Sequence, residues 1–482
     1  MFNRNLNEVN ESYDPYVQAE KDARNAKGSR YIVYPIILAF LLLVMLFLKN
    51  RTAALNYLYC LIPLLIGTAF FGTKIYNKDG DMKLFCASAM LTEIGCALQL
   101  LIDQIYNPLT TFSIIKMVIA CLIGYLFVYF YRVFRLILNK SFTVYLMMAV
   151  CAAIYIVLMV AGKDPNGYGT SAWIRVGSIT IQLTDFTKVA AMLFYSALFS
   201  SSTRLDDRHI LVLSSIFFGI NLIGSVLIHE LGSMFILYFL HLSILFIFMK
   251  RGKTKRIYLL SVFIITLSVL GLCFILWRVL LPGYQAGSLS GLSRSIWVIV
   301  KKVHDRFSVA ANIYSDPNGA GYQLMQGKRA LWMAGLFGNT VNFHAIPVAE
   351  SDMAFIALVN AFGFIAGFFV IFLFLRIMIS GSELSRRLLK EDVQDSVVVY
   401  GATVLICMQA MIVILGSCNV IPFAGLPIPL LSRGFTYETL VFCFLGLLLH
   451  MSEQNGDMML KGDADEETGQ SERFVTTPYQ DR

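Results

Sequence analysis

The chain has 482 residues, 57% of them hydrophobic and only 15% charged, with a mean hydropathy of +0.67. Soluble domains carry roughly 25% charged residues, so this balance excludes a soluble globular enzyme and indicates an integral membrane protein. The formal net charge of +8 would suit nucleic acid, but the basic residues lie mainly in short segments beside apolar runs, where they report topology and argue against a nucleic-acid partner.

Residues 1–30 are polar and mixed in charge, and the first apolar run begins near Tyr31. No cleavable signal peptide is expected, and 1–30 reads as a cytoplasmic N-terminal tail. A helix of about 20 apolar residues crosses a hydrocarbon core of roughly 30 Å with its backbone polar groups satisfied internally. Twelve such spans are expected, at about 31–49, 53–74, 84–102, 110–132, 142–162, 185–202, 210–228, 232–249, 257–281, 352–377, 396–418 and 434–451. The fold class is thus an all-α polytopic membrane bundle over 31–451. Its seventh and eighth spans are joined by HELG (229–232) with almost no loop, which suggests half-inserted or broken helices.

With the N-terminus inside, RVFRLILNK, KRGKTKR (250–256) and SRRLLK (385–390) fall on the cytoplasmic side, as the positive-inside rule requires. Lys49, Asn50 and Arg51, in the first hairpin, are the exception and fall outside. The tail from 452 to 482 contains GDADEE and few apolar residues, and is expected to be disordered and cytoplasmic. Two segments remain on the outer side, 163–184 and 282–351, and the second contains WVIVKKVHDRF (297–307), the pattern of a short amphipathic surface helix. Ordered loops on a rigid scaffold commonly carry chemistry.

Nine cysteines are scattered singly without CxxC or Cys/His spacing, so neither disulfides nor a zinc site is expected. Glu93 and Lys116 fall at similar depths in the third and fourth spans and are expected to form a structural ion pair. The run IPFAGLPIPLLSRG (421–434) cannot be regular helix, and irregular backbone at that depth needs protein or a water-filled cavity around it. Glu350 and Asp352 stand at the mouth of the tenth span. Ser351 or Asp352 before an apolar run is also an ordinary helix N-cap signal.

Five stretches in order carry a more specific signal: AWIRVG and ITIQLTDFTK within 172–188, IHELGS (228–233), the pair DPNGAGYQLMQGKRALWMAGLFGN and IPVAESDMAF within 316–355, and NVIPFAGLPIPLLSRGFT (419–436). Together they resemble the SEDS family, the shape, elongation, division and sporulation proteins of bacteria exemplified by RodA and FtsW. Trp173 and Ile174 match the first motif. Gln182, Phe186 and Lys188 match the second, with Thr184 and Asp185 near its Ser and Glu. Leu231 and Gly232 match the third. Gly321, Tyr322, Gln323, Pro347, Asp352 and Phe355 match the fourth. Pro422, Gly425, Leu426, Pro427, Pro429, Ser432 and Gly434 match the last. Departures mark a divergent member: Leu183 for proline; Ile228, His229 and Glu230 for Gln, Pro and Asp; Glu350 for histidine; Asn360 and Ala361 for a Glu-Glu pair; Arg433 and Phe435 in the final motif. The family usually has ten spans, which makes two of the expected twelve additional N-terminal helices.

The resemblance implies a peptidoglycan glycosyltransferase that polymerises lipid II, a lipid-linked disaccharide-pentapeptide, at the outer face of the bacterial cytoplasmic membrane beside a class B penicillin-binding protein. Asp352 occupies the position of the family's essential aspartate and would be the general base, since a sugar hydroxyl is a poor nucleophile until a placed carboxylate takes its proton. The departing pyrophosphate needs cations. Candidates for binding substrate or pyrophosphate are Lys188, Arg175, Arg306, Gln323 and Ser432, with Mg or Mn as a candidate divalent cofactor. Lys188 could equally snorkel to headgroups. Glu350 reads as a rim charge and His229 and Glu230 as structural. The rival readings are a lipid-linked-precursor flippase and an inactive scaffold for a penicillin-binding protein.

Overall fold

The computed structural model describes residues 15–106, 141–164, 170–176, 179–200, 205–250, 252–319, 321–341 and 343–454, with isolated positions between 119 and 135. Among the described residues, ten helices are long and apolar enough to cross a membrane. They are α1 (Pro15–Lys49), α2 (Arg51–Tyr76), α3 (Met82–Tyr106), α4 (Phe142–Ala161), α6 (Asp207–Leu227), α7 (Leu231–Phe248), α8 (Lys253–Gln285), α11 (Ala354–Leu388), α12 (Val393–Ser417) and α13 (Phe435–Gln454). Apolar runs set these helices because lipid offers unpaired backbone groups no partner. α12 lies at the centre of the bundle, with 89% of its span window buried, whereas α8 buries none of its window and faces lipid along that length.

The expected spans differ from these helices in three places, and a fourth span lies mostly outside the described residues. α1 begins at Pro15, well before the expected 31, although its apolar window opens only at Arg30. The segment 185–202 is α5 (Thr184–Leu198), whose 15 residues reach only ~22 Å. It can be short because nearly all of it is buried among other helices, so its ends need not meet both membrane surfaces. α6 and α7 are continuous and unbroken; His229 turns the chain in left-handed backbone (φ 60°), and the Glu230 carboxylate caps α7 at Gly232 N (3.1 Å) and Ser233 N (3.3 Å). Most of 110–132, including Lys116, lies outside the described residues, and so does the expected ion pair; its other member, Glu93, is buried in α3 at 1% exposure. Of the acidic tail, 455–482 also lies outside them.

One end of the bundle carries the long connections. Segment 163–184 forms a hairpin of β1 (Trp173–Val176) and β2 (Ile179–Gln182), antiparallel with Trp173 opposite Gln182. Ser171 N ties its base to Ile228 O (3.1 Å). Segment 282–351 holds α9 (Gly291–Ala311) and α10 (Tyr322–Ala334). α9 is the expected amphipathic helix, and it folds back antiparallel on the end of α8: Tyr284 stacks on Trp297 (4.8 Å) and Trp277 on His304 (3.7 Å), two turns apart on each helix. Beyond α10, the chain is pinned to α11 by Asn360, which gives Nδ2 to Ala330 O (2.8 Å) and Val341 O (2.9 Å) and accepts at its backbone oxygen from Asn339 N and Thr340 N. Gly363 kinks α11 at φ 91°, and an added Cβ there would lie 2.0 Å from Leu336 O. The Lys49 ammonium reaches the same segment at Gly338 O (3.0 Å), so the basic first hairpin sits at this end, where the span count places it.

Candidate functional site

Asp352 lies in the turns that lead into α11, between Val348 in left-handed backbone (φ 51°) and the helix start. It does not cap that helix. The N-cap position is Met353, which makes no side-chain cap bond, and the Asp352 Oδ1 instead accepts the Ser351 hydroxyl at 2.8 Å. The other oxygen faces Gly425, where an added Cβ would stand 3.5 Å from Oδ2 and where φ is +65°. Glycine is needed there for the left-handed turn, because an added Cβ would meet the carboxylate only at ordinary van der Waals distance.

The proline-rich segment 419–434 is irregular, as expected, and it is bound to the turns that carry Asp352. Arg433 N donates to Glu350 O (2.6 Å), and the Ser432 hydroxyl donates to Ser351 O (2.6 Å) while accepting from Ile428 N (2.8 Å). From α3, Gln99 Nε2 donates to both Glu350 O (3.1 Å) and Leu431 O (2.6 Å). Ser432 thus spends its oxygen on two backbone groups. Ser432→Ala is expected to cost about 1–3 kcal/mol, because Ser351 O and Ile428 N lose their partner. A fall in Tm of the detergent-solubilised protein would show it; a ligand contact alone would raise KM and leave Tm in place.

Charges converge on Asp352 from three elements. Burial holds its carboxyl above the usual carboxylate range; the Ser351 bond opposes this, Glu230 and Glu350 reinforce it, and Arg306 of α9 opposes it. Burial likewise lowers Arg306, against the attraction of Glu230 and Asp352. One turn before Arg306, Lys302 donates to His229 O (2.8 Å), and burial with the nearby Arg306 pushes its ammonium down to about 8. The result is an acid of raised pKa facing Arg306, with Lys302 one turn earlier on α9. Sequence reasoning missed Lys302 and the electrostatic part played by Glu230. The available signal was spacing: Lys302 lies four residues before Arg306 and so shares its helix face.

The other candidates separate. Gln323 is on α10, one turn before Gly327, which packs against Met353, and its Nε2 is buried without a hydrogen-bond partner. Lys188 does not snorkel. It is 2% exposed, donates to Asp185 Oδ1 (2.7 Å) and Gln409 Oε1 (3.0 Å), and lies 5.0 Å from the Tyr437 ring centroid. Gln409 continues the chain of bonds to Pro427 O (2.8 Å), so Lys188 braces the proline-rich segment from below. Arg175 is exposed on β1, and among the described residues the charges acting on Asp352 are Glu230, Glu350 and Arg306. Arg433 pairs with Asp103 of α3.

The family described as cell cycle protein (FtsW, RodA and SpoVE) matches residues 83–456. That match starts one residue into α3, so α1 and α2 precede it. Stage V sporulation protein E of Bacillus subtilis is 25% identical over 314 residues, covering 64% of this chain and 78% of that protein. The peptidoglycan glycosyltransferase RodA of Mycobacterium tuberculosis is 22% identical over 400 residues, covering 80% and 81%. Among solved structures, a chain from work titled as structural coordination of polymerization and crosslinking by a peptidoglycan synthase complex is similar, with a TM-score of 0.56 and 18% identity over 78% of this chain and 98% of that one. A mutant of the Thermus thermophilus rod shape determining protein RodA is similar with a TM-score of 0.51 at 14% identity, covering 78% and 98%. With a fold of this kind and a match over most of its length, the chain is a multi-pass membrane protein that belongs to the FtsW/RodA/SpoVE family, the SEDS family its motifs resemble.

Proposed function

We propose that this protein polymerises lipid II into glycan strands at the outer face of the cytoplasmic membrane, with Asp352 as general base. The observation that carries the reading is the environment of Asp352: a partly exposed carboxylate made more basic by burial, beside Arg306, at the end of the bundle that carries the segments 163–184 and 282–351. Asp352 takes the proton of one sugar hydroxyl as that oxygen bonds to the anomeric carbon of a second lipid-linked sugar. The bond from that carbon to undecaprenyl pyrophosphate breaks, and its electron pair leaves on the phosphate. Arg306 and Lys302 supply positive charge where the leaving group gains negative charge. Lys188, with two of its three donors committed to Asp185 and Gln409, positions the loop and does not bind phosphate.

Among the described residues, no three His, Cys, Asp or Glu side chains gather as a metal site. Mg²⁺ commonly needs only one or two carboxylates plus substrate phosphates; the Glu230 carboxylate is committed to the cap of α7, so Glu350, in the turns that carry Asp352, is the residue that would hold one. Such an ion would neutralise pyrophosphate charge. A cross-linking penicillin-binding protein would act beside the chain, as polymerization and crosslinking are coordinated in the synthase complex to which it is similar. Both termini would be cytoplasmic.

Incubating the purified protein with labelled lipid II tests the reading. Lengthening glycan strands are the expected product; movement of lipid II across the bilayer without joining would identify a flippase instead.

A further inference from the structure

One stripe of α3 receives the proline-rich segment in register. Gly95, Gln99 and Asp103 are spaced by four and so lie along a single helix face. At Gly95 the segment comes so close that an added Cβ would stand 1.8 Å from Leu430 O. At Gln99 the side-chain amide donates to Leu431 O (2.6 Å) and to Glu350 O (3.1 Å). At Asp103, which is 3% exposed, the carboxylate pairs with the Arg433 guanidinium. Residues 430, 431 and 433 thus meet 95, 99 and 103 in order along the helix.

The backbone of Arg433 gives the last pair its importance. The Arg433 N–H donates to Glu350 O (2.6 Å), two residues before Asp352, so that one carbonyl oxygen is shared between Gln99 and Arg433. Gly434 follows, the residue type with the widest backbone freedom, and the main chain alone does little to keep the Arg433 amide aimed. A guanidinium fork fixed to a buried carboxylate supplies that aim, because the charge-assisted bond is directional as well as strong. Arg433 departs from the family's final motif, so this anchor belongs to the present chain. Among the described residues the charges acting on Asp352 are Glu230, Glu350 and Arg306, so whatever the Asp103–Arg433 pair does to that carboxylate passes through the backbone.

We propose that the Asp103–Arg433 pair, together with Gln99, positions the general base: it keeps the Arg433 amide on Glu350 O and so sets where the Asp352 carboxylate stands against the sugar hydroxyl. The proposal rests on the glycosyltransferase reading and adds to it three positioning residues, none of which touches the reacting atoms.

Turnover of lipid II by the full-length protein in nanodiscs, expressed per folded molecule, tests this. Asp103→Asn and Arg433→Gln are each expected to lower kcat by about 10²-fold with KM in place, the loss that a displacement of about 1 Å brings. Exchanging the pair, Asp103→Arg with Arg433→Asp, rebuilds the tie with the same summed side-chain length and is expected to recover most of that kcat. Gln99→Leu removes both amide bonds and no charge; it is expected to show the same split between kcat and KM, and it serves where a charge variant fails to fold. Ordinary kcat per folded molecule in all the single variants would leave the pair a stabilising contact and overturns the proposal. A raised KM confined to Arg433→Gln overturns it as well, in favour of a direct contact between Arg433 and pyrophosphate. Hydrogen–deuterium exchange reads the same geometry without turnover. In Asp103→Asn the amides of 348–353 and of Arg433 are expected to exchange faster while those of 396–404 in α12 keep their rate; an increase spread over the whole chain, or none at 348–353, overturns the proposal. Local loosening in a protein that makes no polymer would keep the positioning of the turn and sink the glycosyltransferase reading alone.

Discussion

Asp352→Asn is expected to lower glycan-strand synthesis by about 10²–10⁴-fold, the usual worth of a placed general base. The same substitution is expected to make the protein slightly more stable at neutral pH. Burial raises the carboxyl above its ordinary value, so the native protein holds that proton more tightly than the unfolded chain does. Stability therefore declines as pH rises from the unfolded carboxylate value through the raised native one, and the Asp352→Asn variant, whose amide carries no charge at any pH, escapes that decline. Catalysis runs the other way. Only the ionised carboxylate accepts a proton, so the rate of the unmodified protein is expected to fall as pH drops through the raised value. The two readouts are the pH profile of kcat and the pH dependence of Tm. A variant with ordinary turnover, or one that loses turnover only because its Tm collapses, rules out the base.

The second large effect belongs to Lys188. Lys188→Met leaves the Asp185 carboxylate buried opposite an apolar side chain, and breaking a buried pair from one side costs about 3–5 kcal/mol. Asp185 already has one oxygen, Oδ2, buried without a hydrogen bond, so it has little else to turn to. Replacing both residues, Asp185→Leu with Lys188→Met, is expected to recover most of the lost stability because an apolar pair of similar volume often substitutes for a buried ion pair. Thermal unfolding of the single and double variants measures this. A double variant that refolds fully yet binds lipid II poorly would return Lys188 to the phosphate-binding role.

Much of the architecture was legible because it depends on the simplest physical constraint on the chain, the need to satisfy a backbone in hydrocarbon. α12 and α8 read alike in composition, yet one is central and the other faces lipid, because apolarity says that a helix avoids water and not what it meets instead. The same ambiguity concealed α5: its apolar run is long enough to pass for a span, and only packing shows that protein surrounds it. The irregular backbone of 419–434 was predictable from its prolines and glycines, and so was its need for shelter, which the turns that carry Asp352 provide. Glu230 reads as structural, and it does cap α7, but its influence on Asp352 depends on a fold that brings the α6–α7 turn against residues more than a hundred positions later. The α8–α9 pairing had a readable signal in Trp277, Tyr284, Trp297 and His304, spaced by seven on each helix, which was visible only if the two segments were compared with opposite polarity.

The contact between Lys49 and Gly338 O gives the two leading helices a mechanical meaning. Gly338 is pressed against Ala361 on its other side, where an added Cβ would lie 2.2 Å from the Ala361 oxygen, so the carbonyl is clamped between a cation and the kinked stretch of α11. A chain trimmed back to Arg51 would surrender that carbonyl to solvent and leave the stretch before Asp352 with one buttress fewer. The leading hairpin thus works as an outrigger: it touches none of the reacting atoms, yet it steadies the platform on which the acid stands.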